Sequence, residues 1–279
     1  MAKIKVRLKI KKTLQEHWAN LNGLKIRYLE SGKGNDKHIL FIHGLGSSAD
    51  RWVGIPKSLS ANFHTISLDL PGFGESDKPA SMDYTIENFS DIVIDFMNLL
   101  AINDGKTSIV GHSLGGYIAA EVTILHKIQV ERLVLIDSSG MLEKPTALLE
   151  EYLSVAMNPT TDKVRNIFEQ MVTDSTKIPL KLVESFIKRI NLPNAKYAFK
   201  STLENSTNTQ LERERLKLID GIPTLIIWGN EDKVIPVEHS DLFKESISNS
   251  HVEIIQDAGH APFTEKPEQV FELIRNFLT

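Results

Sequence analysis

Six short apolar runs, mostly separated by helical patterns, restrict the fold of this chain more than any other feature. They are His38–Ile42, His64–Leu68, Thr107–Val110, Arg132–Ile136, Thr224–Trp228 and Val252–Ile255. Each is too short for a helix and gives way within two residues to Gly, Ser, Asp or Asn. Such runs suit strands covered on both faces, as in a parallel sheet. Between them, Thr85–Leu100 sets Ile86, Phe89, Ile92, Val93, Phe96, Leu99 and Leu100 on one stripe, Leu114–His126 follows the third run, and Pro267–Leu278 closes the chain. Alternating strand and helix implies right-handed crossovers and helices on both sides of the sheet.

Two segments depart from that rhythm. Leu21-Asn22-Gly23-Leu24 carries the Asn-Gly pair of type I′ turns between strand-like flanks, His17–Leu21 and Leu24–Leu29, so the sheet should begin with an antiparallel hairpin. From Met141 to Gln210 no convincing strand occurs. Leu148, Tyr152, Leu153 and Val155 form one helical face, Val164, Ile167, Phe168 and Met171 another, and Leu182, Val183, Phe186, Ile187 and Ile190 a third. Pro145, Pro159, Pro179 and Pro193 stand where those helices should start or stop. A length of 279 residues fits one large domain with an insertion, so residues 1–140 and 211–279 are expected to form the core and 141–210 a helical block inserted in it.

Charge and composition remove several function classes. Lys+Arg number 32 against 36 Asp+Glu, a net charge of -4, so nucleic-acid binding is not expected. The absence of cysteine excludes disulfides, a thiolate nucleophile and Cys-ligated zinc. No apolar run reaches the ~18 residues of a membrane span. At the start, Lys3, Lys5, Arg7, Lys9 and Lys11 alternate with Ile4, Val6, Leu8 and Ile10. A secretory signal would be continuously apolar, whereas period two reads as a lysine-rich edge strand. A cytoplasmic protein is expected, with monomer and homodimer both open.

Gly111-His112-Ser113-Leu114-Gly115 follows the run Thr107–Val110 and opens a helical pattern. This is G-x-S-x-G in the strand–turn–helix setting the motif requires. A sharp turn lifts the serine oxygen off the strand end, and Gly111 and Gly115 remove side chains that would clash there; Gly116 lets the helix pack closely. A serine hydroxyl needs a base, and the base an orienting acid. Among nine histidines, His17, His38, His64, His126, His239 and His251 read as surface or strand-end residues. His43 lies in a Gly-rich turn and His112 inside the elbow. His260, in Asp257-Ala258-Gly259-His260-Ala261-Pro262, falls between the last strand and the last helix, where it can swing over Ser113. Asp232, in Trp228-Gly229-Asn230-Glu231-Asp232, is the chosen acid, with Glu231 and Asp137 as alternatives. The order Ser…Asp…His is the one expected for such a sheet. The backbone N–H groups of Leu114 and of Leu45, in His43-Gly44-Leu45-Gly46, are the expected oxyanion donors.

With Asp69-Leu70-Pro71-Gly72-Phe73-Gly74-Glu75-Ser76-Asp77 added, these five ordered marks make the chain resemble the α/β-hydrolase superfamily over nearly everything outside the inserted block. The resemblance implies a mostly parallel central sheet flanked by helices, a site at its carboxyl edge, a cap formed by residues 141–210, and no cofactor or metal. Epoxide hydrolases and haloalkane dehalogenases resemble it too but carry aspartate where this chain has Ser113. Hydrolases of carbon–carbon bonds in ring-fission products often carry Asn and Trp where this chain has His112 and Ala261. Proline iminopeptidases need cap carboxylates, for which Glu143, Glu150, Glu151 and Glu169 are candidates. The reading is a serine carboxylesterase acting on a small-molecule ester. The alternatives are a C–C hydrolase, a cofactor-free perhydrolase, and a receptor that uses the capped pocket without turnover.

Overall fold

The computed structural model describes residues 14–279; the alternating segment Lys3–Lys11 lies outside them. In chain order the elements are β1 (Gln15–Leu21), β2 (Leu24–Ser31), β3 (His38–Ile42), α1 (Gly54–Leu59), β4 (His64–Leu68), α2 (Ile86–Leu99), β5 (Thr107–His112), α3 (Leu114–Leu125) and β6 (Val130–Ile136). Then come α4 (Ala147–Met157), α5 (Thr161–Gln170), α6 (Leu180–Ile190), α7 (Ala195–Asn208), α8 (Arg213–Leu216), β7 (Thr224–Gly229), α9 (His239–Ser246), β8 (Ser250–Ile255), α10 (Pro262–Glu265) and α11 (Pro267–Leu278).

The strands form one eight-stranded sheet in the order β1-β2-β4-β3-β5-β6-β7-β8. β1 pairs antiparallel with β2, and β2 antiparallel with β4. Every later pairing is parallel. The expected hairpin is present: Asn22 (φ 53°) and Gly23 (φ 94°) both take the left-handed conformation that a type I′ turn requires.

Successive side chains leave a strand on opposite faces, and each face has its own core here. Leu40 and Ile42 of β3, Leu133 and Leu135 of β6, and Ile226 and Trp228 of β7 pack with α2 and α3. Ile39, Phe41, Val134, Ile136, Leu225 and Ile227 pack on the other side with Ile55 and Leu59 of α1 and Val270, Ile274 and Leu278 of α11. Covering both faces explains why these strands read as unbroken apolar runs.

Between β6 and β7 the chain makes four helices of ten or more residues, α4 to α7, and no strand. Thr146 and Thr160 cap α4 and α5 by accepting the N–H of Leu149 and Lys163. The fourth of these helices, α7, lies beyond the three apolar faces read from the sequence. The block leaves and rejoins the rest of the molecule at one place, where the Leu211 N–H donates to the Gly140 carbonyl at 2.7 Å.

The sheet is extended in one direction from β3 to β4 and in the other from β3 to β5. Ligands of open α/β sheets bind beyond the carboxyl ends of strands at such a switch point. The loop His43–Gly46 leaves β3 there, and Ser113 leaves β5 beside it.

Candidate active site

Ser113 sits between β5 and α3 at φ 54°, ψ -121°, a conformation that L-residues rarely adopt. The glycines around it make the turn possible. A Cβ on Gly111 would strike the Gly115 carbonyl, one on Gly115 would strike the Ile42 carbonyl, and one on Gly116 would strike Ser138. The elbow is also pinned by its backbone: Ser113 N–H donates to Ile136 O at 3.0 Å, and Ser113 O accepts from Ser139 N–H at 3.1 Å.

Ser113, His260 and Asp232 come together from three separate strand ends, all buried. Ser113 Oγ lies 3.0 Å from His260 Nε2, and His260 Nδ1 lies 2.7 Å from Asp232 Oδ2. The second oxygen of Asp232 accepts the N–H groups of Val234 and Ile235 at 2.8 and 3.0 Å, which fixes the carboxylate plane. With Asp232 as acceptor, Nδ1 carries the hydrogen and Nε2 is left to accept from the serine hydroxyl.

Of the two alternative acids, Glu231 is exposed. Asp137 is fully buried at the end of β6, where its Oδ1 accepts the Gly229 N–H at 2.9 Å. One oxygen from Asp137, one from Asp232 and a ring nitrogen of His260 lie within 4.8 Å of one another. Burial first, and then the charge of Asp232, push Asp137 well above the usual carboxylate range. Its Oδ2 has no partner among the described residues, which a proton shared toward Asp232 would satisfy. These three residues are also the one group of potential metal donors among the described residues. The 2.7 Å contact between Asp232 and His260 is a hydrogen bond that engages Asp232 Oδ2 and His260 Nδ1 with each other.

The loop after β3 lies against the elbow: a Cβ on Gly44 would come 3.1 Å from Ser113 Cβ. The N–H groups of Leu45 and Leu114 donate to no other group among the described residues. His43 holds this loop. Its Nδ1 bonds Gly44 O at 2.8 Å and its Nε2 accepts the Leu70 N–H at 3.0 Å. Burial lowers the pKa of His43, consistent with that neutral tautomer.

Two further supports were not legible in the sequence. His112 Nε2 donates to the His260 carbonyl at 2.6 Å. Its pKa is lowered well below the usual value, by burial and then by the neighbouring His260. Glu265 is buried beneath the His260 loop. Its Oε1 accepts the Gly259 N–H at 2.7 Å, while Oε2 accepts the Thr173 N–H at 2.7 Å and hydroxyl at 2.6 Å. The His260 N–H donates to Met171 O at 2.8 Å. The histidine loop is therefore tied to the segment after α5, 89 residues away in the chain (260 less 171). His64, read as a strand-end residue, does begin β4 but is buried, with Nε2 2.8 Å from Glu30 at the sheet's opposite edge.

A cavity of about 580 Å³ opens over Ser113. Leu149 and Tyr152 of α4, Phe168 of α5 and Phe186 of α6 line it, while Val164, Ile167 and Val183 of the same helices pack wholly inside. Tyr152 Oη donates to Leu45 O at 3.4 Å, and its ring stands 5.0 Å from Phe199 and 5.6 Å from Phe186. Gly46 (φ 69°) fits beneath these three rings, where any Cβ would collide with them. The wall is apolar where Leu149, Tyr152, Phe168 and Phe186 face it, and polar at Ser113 and His260 and along Ser48, Asp50, Arg51, Lys181 and Arg189. Glu143, Glu150, Glu151 and Glu169 do not line it.

The profile described as the alpha/beta hydrolase fold matches residues 37–267. A 2-hydroxy-6-oxo-6-(2'-aminophenyl)hexa-2,4-dienoic acid hydrolase of Metapseudomonas resinovorans is 29% identical, covering 95% of this chain and 91% of its own. A monoacylglycerol lipase of Mus musculus is 26% identical over 94% of this chain and 84% of its own. The solved structure of a membrane phospholipase A superposes with a TM-score of 0.83 at 28% identity, covering 96% of this chain and 86% of that one.

Proposed function

The chain belongs to the alpha/beta hydrolase fold family, and on that premise we propose that it is a serine carboxylesterase acting on small to medium esters. The observation that carries this reading is the unbroken hydrogen-bond line Ser113–His260–Asp232 at the floor of a cavity roofed by apolar side chains. Ser113 Oγ attacks the ester carbonyl as His260 Nε2 takes its proton. The carbonyl oxygen becomes an oxyanion held by the N–H groups of Leu45 and Leu114. The C–O bond to the alcohol breaks, and His260 returns the proton to the leaving oxygen. Water then adds to the acyl-serine, giving its proton to His260. The acid departs, and the proton goes back to Ser113. Asp232 holds the imidazole in the required tautomer and stabilises its cation. The reaction consumes one water and needs no cofactor. Residues 141–210 act as the cap that roofs the site and sizes the acyl pocket.

The names of the relatives divide between ester and carbon–carbon chemistry. His112 favours the ester: its Nε2 is spent on the His260 carbonyl, so it has no side-chain N–H left to donate to substrate.

A ladder of p-nitrophenyl esters from acetate upward, with wild type and Ser113→Ala, tests the reading. The expected result is multiple turnover with a maximum at one chain length, lost in the variant. A stoichiometric burst followed by silence, or preferred turnover of a ring-fission dienoate, would overturn it in favour of a receptor or a C–C hydrolase.

A further inference from the structure

Two arginines line the cavity, Arg51 and Arg189, and a third, Arg27, pairs with Asp50 in its wall; Arg27 and Arg189 are fully engaged. Arg27 donates to Glu16, Asp50 and Asp69. Arg189 of α6 bonds Asp50, Ser48 and Glu75. Arg51 differs. It lies on the short turn Ala49–Trp52 that follows the Gly44–Gly46 loop, and it lines the same cavity as Ser113. Its one hydrogen bond runs from Nη2 to the Thr264 hydroxyl at 3.0 Å. Its guanidinium carbon stands 5.7 Å from the Phe263 ring. No carboxylate lies within 4.0 Å of it among the described residues. The segment before them, residues 1–13, contains no Asp or Glu. The chain thus supplies this half-buried cation with no counter-ion.

We propose that Arg51 receives a carboxylate carried by the substrate, so that the preferred ester is negatively charged away from its scissile carbonyl. This rests on the ester-hydrolase reading above and narrows its substrate class. A guanidinium has five N–H donors in a planar fork that matches a carboxylate in two parallel bonds. Thr264 uses one of the five. Burial holds the Arg51 guanidinium below the ordinary arginine value, and among the described residues no carboxylate offsets that cost. An anion entering the cavity would. An added negative charge meets no competing free carboxylate, because among the described residues the one carboxylate in the cavity wall, Asp50, is already shared between Arg27 and Arg189. The competing reading is a guanidinium laid on Phe263 with its free N–H groups solvated; anionic and neutral esters would then be treated alike.

The test compares kcat/KM for matched pairs. Mono-p-nitrophenyl adipate against p-nitrophenyl hexanoate places the charge on the acyl side. The ester 3-acetoxybenzoate against 3-methylphenyl acetate places it on the alcohol side. The readout is the anionic-to-neutral ratio of the wild type divided by that of Arg51→Met, which cancels intrinsic reactivity. One pair should give about tenfold or more, the range of a charge-assisted hydrogen bond, with Arg51→Lys intermediate. Quotients within about twofold of unity for both pairs overturn the proposal. Calorimetry on the wild type needs neither a folded variant nor turnover: the monoamide of adipic acid, which keeps one carboxylate, should bind at least as many-fold tighter than neutral hexanamide, and equal binding counts against the site. Failure to turn over any of the four esters sinks ester hydrolysis, and calorimetry then decides the carboxylate site separately.

Discussion

Asp137 and Asp232 lie side by side beneath one histidine, and the chemistry differs for each. Asp232 points at Nδ1 of His260; Asp137 is turned toward Gly229 with a second oxygen unsatisfied. Burial and the charge of Asp232 keep a proton on Asp137. The sign of the consequence follows from proton counting. An unfolded aspartate ionises above ~3.9, whereas the folded Asp137 stays protonated, so the folded state binds more protons and loses stability as pH rises past that value. Asparagine can still accept from Gly229 and donate to Asp232 but does not titrate. Asp137→Asn should therefore gain thermal stability over wild type between pH 4 and pH 7 while keeping hydrolase activity. A melting-temperature difference that is flat across that range would mean Asp137 is ionised. Asp232→Asn, by contrast, should cost kcat on the order of 10⁴-fold, because the imidazole loses its tautomer control. At this scale Ser113, His260 and Asp232 were readable from a motif and from chain order. The work of His112, Glu265 and Asp137 was not, since each acts on a partner brought close only by the finished sheet.

Elements followed the same division. The six apolar runs mark six strands, two of them to the residue, because burial on both faces leaves no polar interruption. The long surface helices α2 and α11 show a full stripe, whereas α3 is buried on every side from Leu114 to Thr123 and is marked by the elbow that opens it. The short helices α1, α9 and α10, of six, eight and four residues, offer too few turns for a period to emerge. The elbow makes the sharpest demand on local geometry. Gly115→Ala should drive a methyl into the Ile42 carbonyl, costing about 1–3 kcal/mol and displacing Ser113; unchanged urea midpoint and activity would refute that. Glu265→Gln removes one of two acceptors that bond the Gly259, Thr173 and Asp174 N–H groups. One buried N–H loses its partner, at about 1–3 kcal/mol, and kcat should drop by up to about 100-fold as His260 drifts. A lowered midpoint with wild-type kcat would assign Glu265 to stability alone.

For the molecule as a whole, acid is the vulnerable direction. His38, His43, His112 and His239 all have lowered pKa values, in each case chiefly through burial. In the unfolded chain they take up protons as pH falls through ~6.5; in the folded one they resist until lower pH. Unfolded protein then binds more protons, and stability is lost progressively below that value. Urea midpoints at pH 7.5 and 5.5 should differ, the acidic one being lower; coincident midpoints would contradict it. Across the described residues no helix is long and apolar enough to cross a membrane. The bond from His260 N–H to Met171 O and the grip of Glu265 on Thr173 also bear on modularity. The neighbouring ends at Gly140 and Leu211 invite a chimaera in which the intervening helices are swapped for those of a relative. Such a graft would join cleanly at its two seams and still misplace His260, because the splice removes a strut that its loop leans on. The transferable unit is the helical block together with a matching histidine loop.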